Sequence, residues 1–159
     1  MRSSTITALI GGAAVAAAVA MVFLGGSGQS AKEESLTPAD IGKRLFRVQG
    51  CASCHTIGGG LSRGPDLAGL IDRLRVRLDT TAYQSQIDGI KTEKPDLYSM
   101  NTEEYQTILS VQGDERIKQW FIAHLKNPRF DHPEALMPSF KHLTPQQFDE
   151  LTAFLLTLP

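Results

Sequence analysis

Cysteine is almost missing from this chain: there are two in 159 residues, Cys51 and Cys54. No other thiol competes for either of them. An excess of charge is missing too. The 16 Lys and Arg face 17 Asp and Glu, for a formal net charge of −1. The balance is again −1 from Leu36 onward. A nucleic-acid binder would carry a basic field that this chain lacks. Any electrostatic steering of a partner must come from a local patch. There is no internal repeat, catalytic carboxylate pair, phosphate-binding loop or Ser/His/Asp arrangement. The remainder, 42% hydrophobic and 21% charged, is ordinary globular composition with room for one domain.

What is present is concentrated in Cys51-Ala52-Ser53-Cys54-His55. A thioredoxin-like cysteine pair needs a βαβ context, and the surrounding sequence offers none. A structural zinc site needs four ligands, usually in two pairs, whereas His124, His132 and His142 are scattered. A disulfide across two residues would be strained and would leave His55 unexplained. Cys-x-x-Cys-His is the attachment signature of c-type haem. The thiols add to the haem vinyl groups, and the next imidazole lies under the iron as proximal ligand. Helical-turn spacing puts both sulfurs on one face, with His55 one step further on.

The iron's other face decides its chemistry. A thioether there raises the potential and favours electron transfer. Of four methionines, Met1 and Met21 lie in or before an N-terminal apolar run, leaving Met100 and Met137. Met137 precedes Pro138, which biases it towards extended backbone, as a stiff ligand loop needs. A lone methionine is otherwise core filler. Met137 is the preferred sixth ligand; Met100, His132 and His142 are the alternatives.

The chain resembles a class I cytochrome c. The resemblance rests on Gly42-x-x-Leu45-Phe46 before the haem motif, then Gly64-Pro65-Asp66-Leu67, Trp120-Phe121-Ile122 leading to Asn127-Pro128, Met137-Pro138-Ser139-Phe140, and a last helix ending in Phe154-Leu155. It implies an all-α fold, with N- and C-terminal helices packed around one covalent haem c. It also implies that the Pro65 carbonyl accepts the second N–H of His55 and orients that ligand. The 82 residues from His55 to Met137 are more than such a domain needs. The surplus falls at about 71–113, an inserted middle segment within a haem domain of 37–159.

Local signals fill in the domain. Thr37, Pro38 and Asp40 open a first helix as N-cap, N1 and first-turn acid, with Ile41, Leu45, Phe46 and Val48 as its apolar face. Gly58-Gly59-Gly60 reads as a loop able to approach the haem closely. Leu74, Val76 and Leu78 alternate with Arg73, Arg75 and Arg77, which suggests a short strand, with a helix as the alternative. Its arginines read as a solvated face, with a docking patch as the other reading. Residues 82–95 show no clear periodicity. Helices are expected from Thr102 to about Val111 and from Asp114 to Lys126, the latter with Ile117, Trp120, Phe121 and Leu125 on one stripe. Trp120 is most simply core; in the family a residue here can also reach a haem propionate. Thr144-Pro145-Gln146-Gln147 is a capping box that opens the last helix, whose stripe is Phe148, Leu151, Phe154, Leu155 and Leu158. That helix should cross the first at Gly42.

At the N-terminus, Ile6 to Leu24 is nineteen residues without a charge, enough to span a bilayer as a helix. Segment 1–28 is expected to be a transmembrane anchor, with a cleaved signal peptide as the alternative. Arg2 ahead of the run places the haem domain on the periplasmic side of the inner membrane. A linker follows at 29–36. The small, polar stretch Gly25 to Ser35 has a flexible reach of roughly 20 Å, so the haem would stay beside the bilayer.

The expected function is one-electron transfer, not catalysis on a substrate. The expected partners are redox proteins at the membrane, such as a quinol-oxidising or terminal-oxidase complex. The alternative is a haem-based sensor or peroxidase-like enzyme with a labile sixth ligand.

Overall fold

The computed structural model describes residues 35–159. The expected anchor at 1–28 and most of the 29–36 linker lie outside the described residues. Leu36–Pro159 form one unit, whose helices are joined by loops, with no strand among the described residues.

Helix α1, Pro38–Val48, begins as its sequence dictates. Thr37 and Asp40 form a reciprocal capping box, and Pro38 occupies the first turn. Gly50 then takes a left-handed conformation (φ 76°) and turns the chain into a short 3-10 turn, Cys51–Ser53. Helices α2 (Leu70–Arg77), α3 (Thr80–Glu93), α4 (Pro95–Met100) and α5 (Thr102–Ser110) follow in succession. Helix α6 runs Gly113–Lys126. Helix α7, Pro145–Leu155, opens with the capping box formed by Thr144 and Gln147.

The N- and C-terminal helices cross as expected, and Gly42 is the reason they can. A Cβ at residue 42 would lie 1.9 Å from the Glu150 carbonyl oxygen and 2.9 Å from Phe154 Cβ. One turn on, Phe46 and Phe154 meet edge-on with ring centroids 5.6 Å apart. The α7 stripe Phe148, Leu151, Phe154 and Leu155 is buried throughout, as is Leu158 just beyond the helix. Val48, expected on the buried face of α1, is instead 79% exposed; it lies off the face that Gly42 and Phe46 present to α7.

Two expectations for the middle segment are corrected. The stretch carrying Arg73, Arg75 and Arg77 is helix, not strand. Ile71, Leu74 and Leu78 are buried at helical spacing, while Val76 is 75% exposed. The alternation of 74, 76 and 78 was a coincidence that left out Ile71. Residues 82–95 also hold a helix. Asp79 caps α3 by accepting from the amides of Thr81 and Ala82, and Tyr83, Ile87 and Ile90 form its buried edge. Three apolar residues spread among Gln, Ser and Gly carried too little pattern to reveal it.

Two buried polar centres fasten this middle segment to the rest. The Arg116 guanidinium of α6 donates to the Leu78 carbonyl (2.8 Å), Thr80 Oγ1 (2.9 Å) and the Val111 carbonyl (2.7 Å). It thereby satisfies oxygens left over at the ends of α2 and α5. Asp131, after α6, accepts from Arg77 (2.8 Å), Trp120 Nε1 (2.7 Å) and Tyr83 (3.4 Å). Gln86 adds a bond to its backbone carbonyl at 3.0 Å.

Candidate haem site

The site is built outward from the turn after α1. Cys51 is buried and Cys54 half-buried, and they are not joined in a disulfide. Burial pushes the Cys51 thiol above its ordinary pKa. His55 follows, and its Nδ1 lies 2.9 Å from the Pro65 carbonyl oxygen. That contact holds the ring in one orientation and leaves Nε2 for another partner. Gly64 makes the approach possible. A Cβ there would lie 2.5 Å from His55 Cε1 and 2.8 Å from Nδ1, and the Gly64 amide bonds back to the Cys54 carbonyl at 2.7 Å.

Asp66 rigidifies the same loop. Its carboxylate accepts from the amides of Gly58 (2.8 Å), Gly60 (2.6 Å) and Ala68 (2.9 Å). Those backbone donors, Ala68 first, hold its pKa below the usual carboxylate range. The three-glycine loop therefore wraps a carboxylate. It does not line the cavity beside His55.

That cavity is walled by Phe46 of α1, Cys51, His55, Pro65 and Leu67, Leu70 of α2, four residues of α6, Met137, and Leu151 and Leu155 of α7. Met137 is half-buried. Its loop is sewn to the last turn of α6 by two bonds. The Phe140 amide donates to the Leu125 carbonyl (2.8 Å), and Ser139 Oγ donates to the Lys126 carbonyl (2.6 Å). Met100 lies elsewhere, 79% exposed at the end of α4. His132 and His142 are exposed and do not line the cavity; His142 Nε2 sits 3.0 Å from Gln49 Oε1.

A sequence model of the cytochrome c family matches residues 39–159. The chain belongs to the cytochrome c family. Neither curated proteins nor solved structures yield a significant match. Membership supports haem-based electron transfer and implies covalently bound haem c. The cytochrome's own residues fit that group. The Cys51 thiol, an imidazole whose second nitrogen is engaged, and a thioether line one largely apolar cavity, and Cys54 lies at the end of the same short turn as Cys51.

Three residues of this cytochrome had no role in the sequence reading beyond their type. Asp131 takes the Trp120 indole N–H, so that N–H is satisfied within the protein and Trp120 is core, 5% exposed. Burial raises the Asp131 pKa, against the pull of Arg77. Arg116 is a buried cation bonded to carbonyls and a hydroxyl. His124 lines the cavity, and burial lowers its pKa to about 4. Its signal was its place on α6, one turn after Trp120 on the stripe that became the cavity wall.

Proposed function

We propose that this cytochrome is a class I, mono-haem electron carrier with His55 and Met137 as axial ligands. Bound haem supplies an iron that cycles between ferric and ferrous. The chain does the rest. Cys51 and Cys54 fix the group covalently, and the Pro65 carbonyl holds His55 in register. Phe46, Leu67, Leu151 and Leu155 exclude water, and Met137 closes the far side. With His55 and Met137 both holding the group, its geometry would stay nearly constant between oxidation states and no position would be left for a substrate. The observation that carries this reading is the presence of His55, engaged by Pro65 at 2.9 Å, and Met137 on the walls of one cavity.

The ferric protein should show the weak long-red band of thioether-to-iron charge transfer. Met137→Ala should abolish that band and lower the reduction potential. A wild-type spectrum of high-spin, water-ligated iron would contradict the carrier reading and favour a sensor or peroxidase-like enzyme instead. A band that survives Met137→Ala would remove Met137 as ligand.

The uncharged run Ile6 to Leu24 supports a further part of the proposal. It anchors the cytochrome in the inner membrane, with the haem domain on the periplasmic side. There it serves or belongs to a quinol-oxidising or terminal-oxidase complex, with weak, brief redox encounters. The full-length chain should then be recovered with membranes and released only by detergent; recovery in the soluble fraction contradicts the anchor.

A further inference from the structure

Two imidazoles line the haem cavity, and the proposed function uses one. The second, His124, has its Nδ1 buried without a hydrogen-bond partner. Leaving a buried polar atom unpaired is costly, and such atoms are few in folded proteins. Its ring is stacked on Trp120, with centroids 4.6 Å apart and planes 15° from parallel.

His124 and Met137 belong to the same wall. The Met137 loop is bonded to Leu125 and Lys126, the two residues after His124. His55 comes instead from the turn after α1. The two donors on this wall differ in how firmly they are held. His124 is carried by a 14-residue helix. Met137 is carried by a loop between Ala135 and Phe140, where Leu136 is 93% exposed. Local opening takes such a loop long before it takes a packed helix.

We infer that His124 is a reserve axial ligand that takes the iron's sixth position when Met137 is withdrawn. This rests on the His55/Met137 reading. The exchange breaks one iron–sulfur bond and forms one iron–nitrogen bond through an imidazole lone pair. The ring's other nitrogen keeps its proton, and no electron is transferred. Because the thioether raises the potential relative to a second imidazole, opening of the Met137 loop would convert the carrier to a lower-potential form without exposing the iron to water.

The test uses the ferric holoprotein with its covalent haem, read by electron paramagnetic resonance and near-infrared spectroscopy at neutral pH. Met137→Ala should be low-spin with a bis-imidazole signature. Adding His124→Phe to it should give high-spin iron, and external imidazole should then restore the low-spin state, which shows that the cavity is intact. His124→Gln provides the same comparison should the larger ring disturb folding. High-spin iron in Met137→Ala alone overturns the inference. So does a low-spin state that persists after His124 is replaced, since another donor would then hold the iron. Failure of the underlying reading is seen separately, as a wild-type spectrum with no thioether band.

Discussion

At the scale of single residues, the site depends on which polar atoms are satisfied and which are not. His55 has a fixed partner, and Gly64 is small because any side chain would occupy the space of that ring. His124 has no such partner at Nδ1 and stays neutral at physiological pH, since burial depresses its pKa from 6.5 to about 4. The sign of its linkage to stability follows. The unfolded ring takes up a proton near pH 6.5 and the folded ring only near pH 4. Its contribution, up to roughly 3 kcal/mol, is therefore complete above pH 6.5 and lost as pH falls through about 4. His124→Phe should flatten the acid limb of the holoprotein's stability profile between these values, measured by denaturant titration at several pH values. An unchanged slope would show that His124 is not buried neutral.

At the scale of elements, the haem-bearing frame and the helix from Thr102 were legible, and the first part of the middle segment was not. Thr37 and Thr144 each carry a complete capping signal, and α7 presents an unbroken apolar stripe, so these helices could be drawn from local chemistry alone. Gly42 announced the α1–α7 crossing because a bare Cα amid bulky neighbours implies close approach. Gly42→Ala must force a methyl into the Glu150 carbonyl and push the two helices apart. It should cost about 3 kcal/mol by chemical denaturation of the holoprotein; a loss within experimental error would mean that the crossing is looser than 1.9 Å implies. Helix α2 misled because charged residues alternate with leucine and valine there, and only Ile71 separates period two from period 3.6. Helix α3 was hidden because its buried edge is three residues, Tyr83, Ile87 and Ile90. What holds this segment, Arg116 and Asp131, is long-range polar bonding between residues 36 to 54 positions apart in the sequence. No local pattern encodes such pairs.

At the scale of the whole molecule, one helical unit carries the cavity beside His55. The chain ends of that unit close on it: α1 delivers the thiols and imidazole, α7 supplies apolar wall, and the Gly69 amide donates to the carbonyl of Pro159. Helices α2 to α5 add a flank tied to α6, leaving the cavity to the remainder of the domain apart from Leu70. This division keeps the cavity wall compact and leaves most of α2 to α5 outside it. The account requires that a porphyrin be fixed to Cys51 and Cys54. Intact-protein mass spectrometry after acid–acetone extraction tests this most directly. The account predicts the polypeptide mass plus one haem, lost when both cysteines are replaced by alanine. A bare polypeptide mass, from cells that attach haem to other c-type cytochromes, would contradict it.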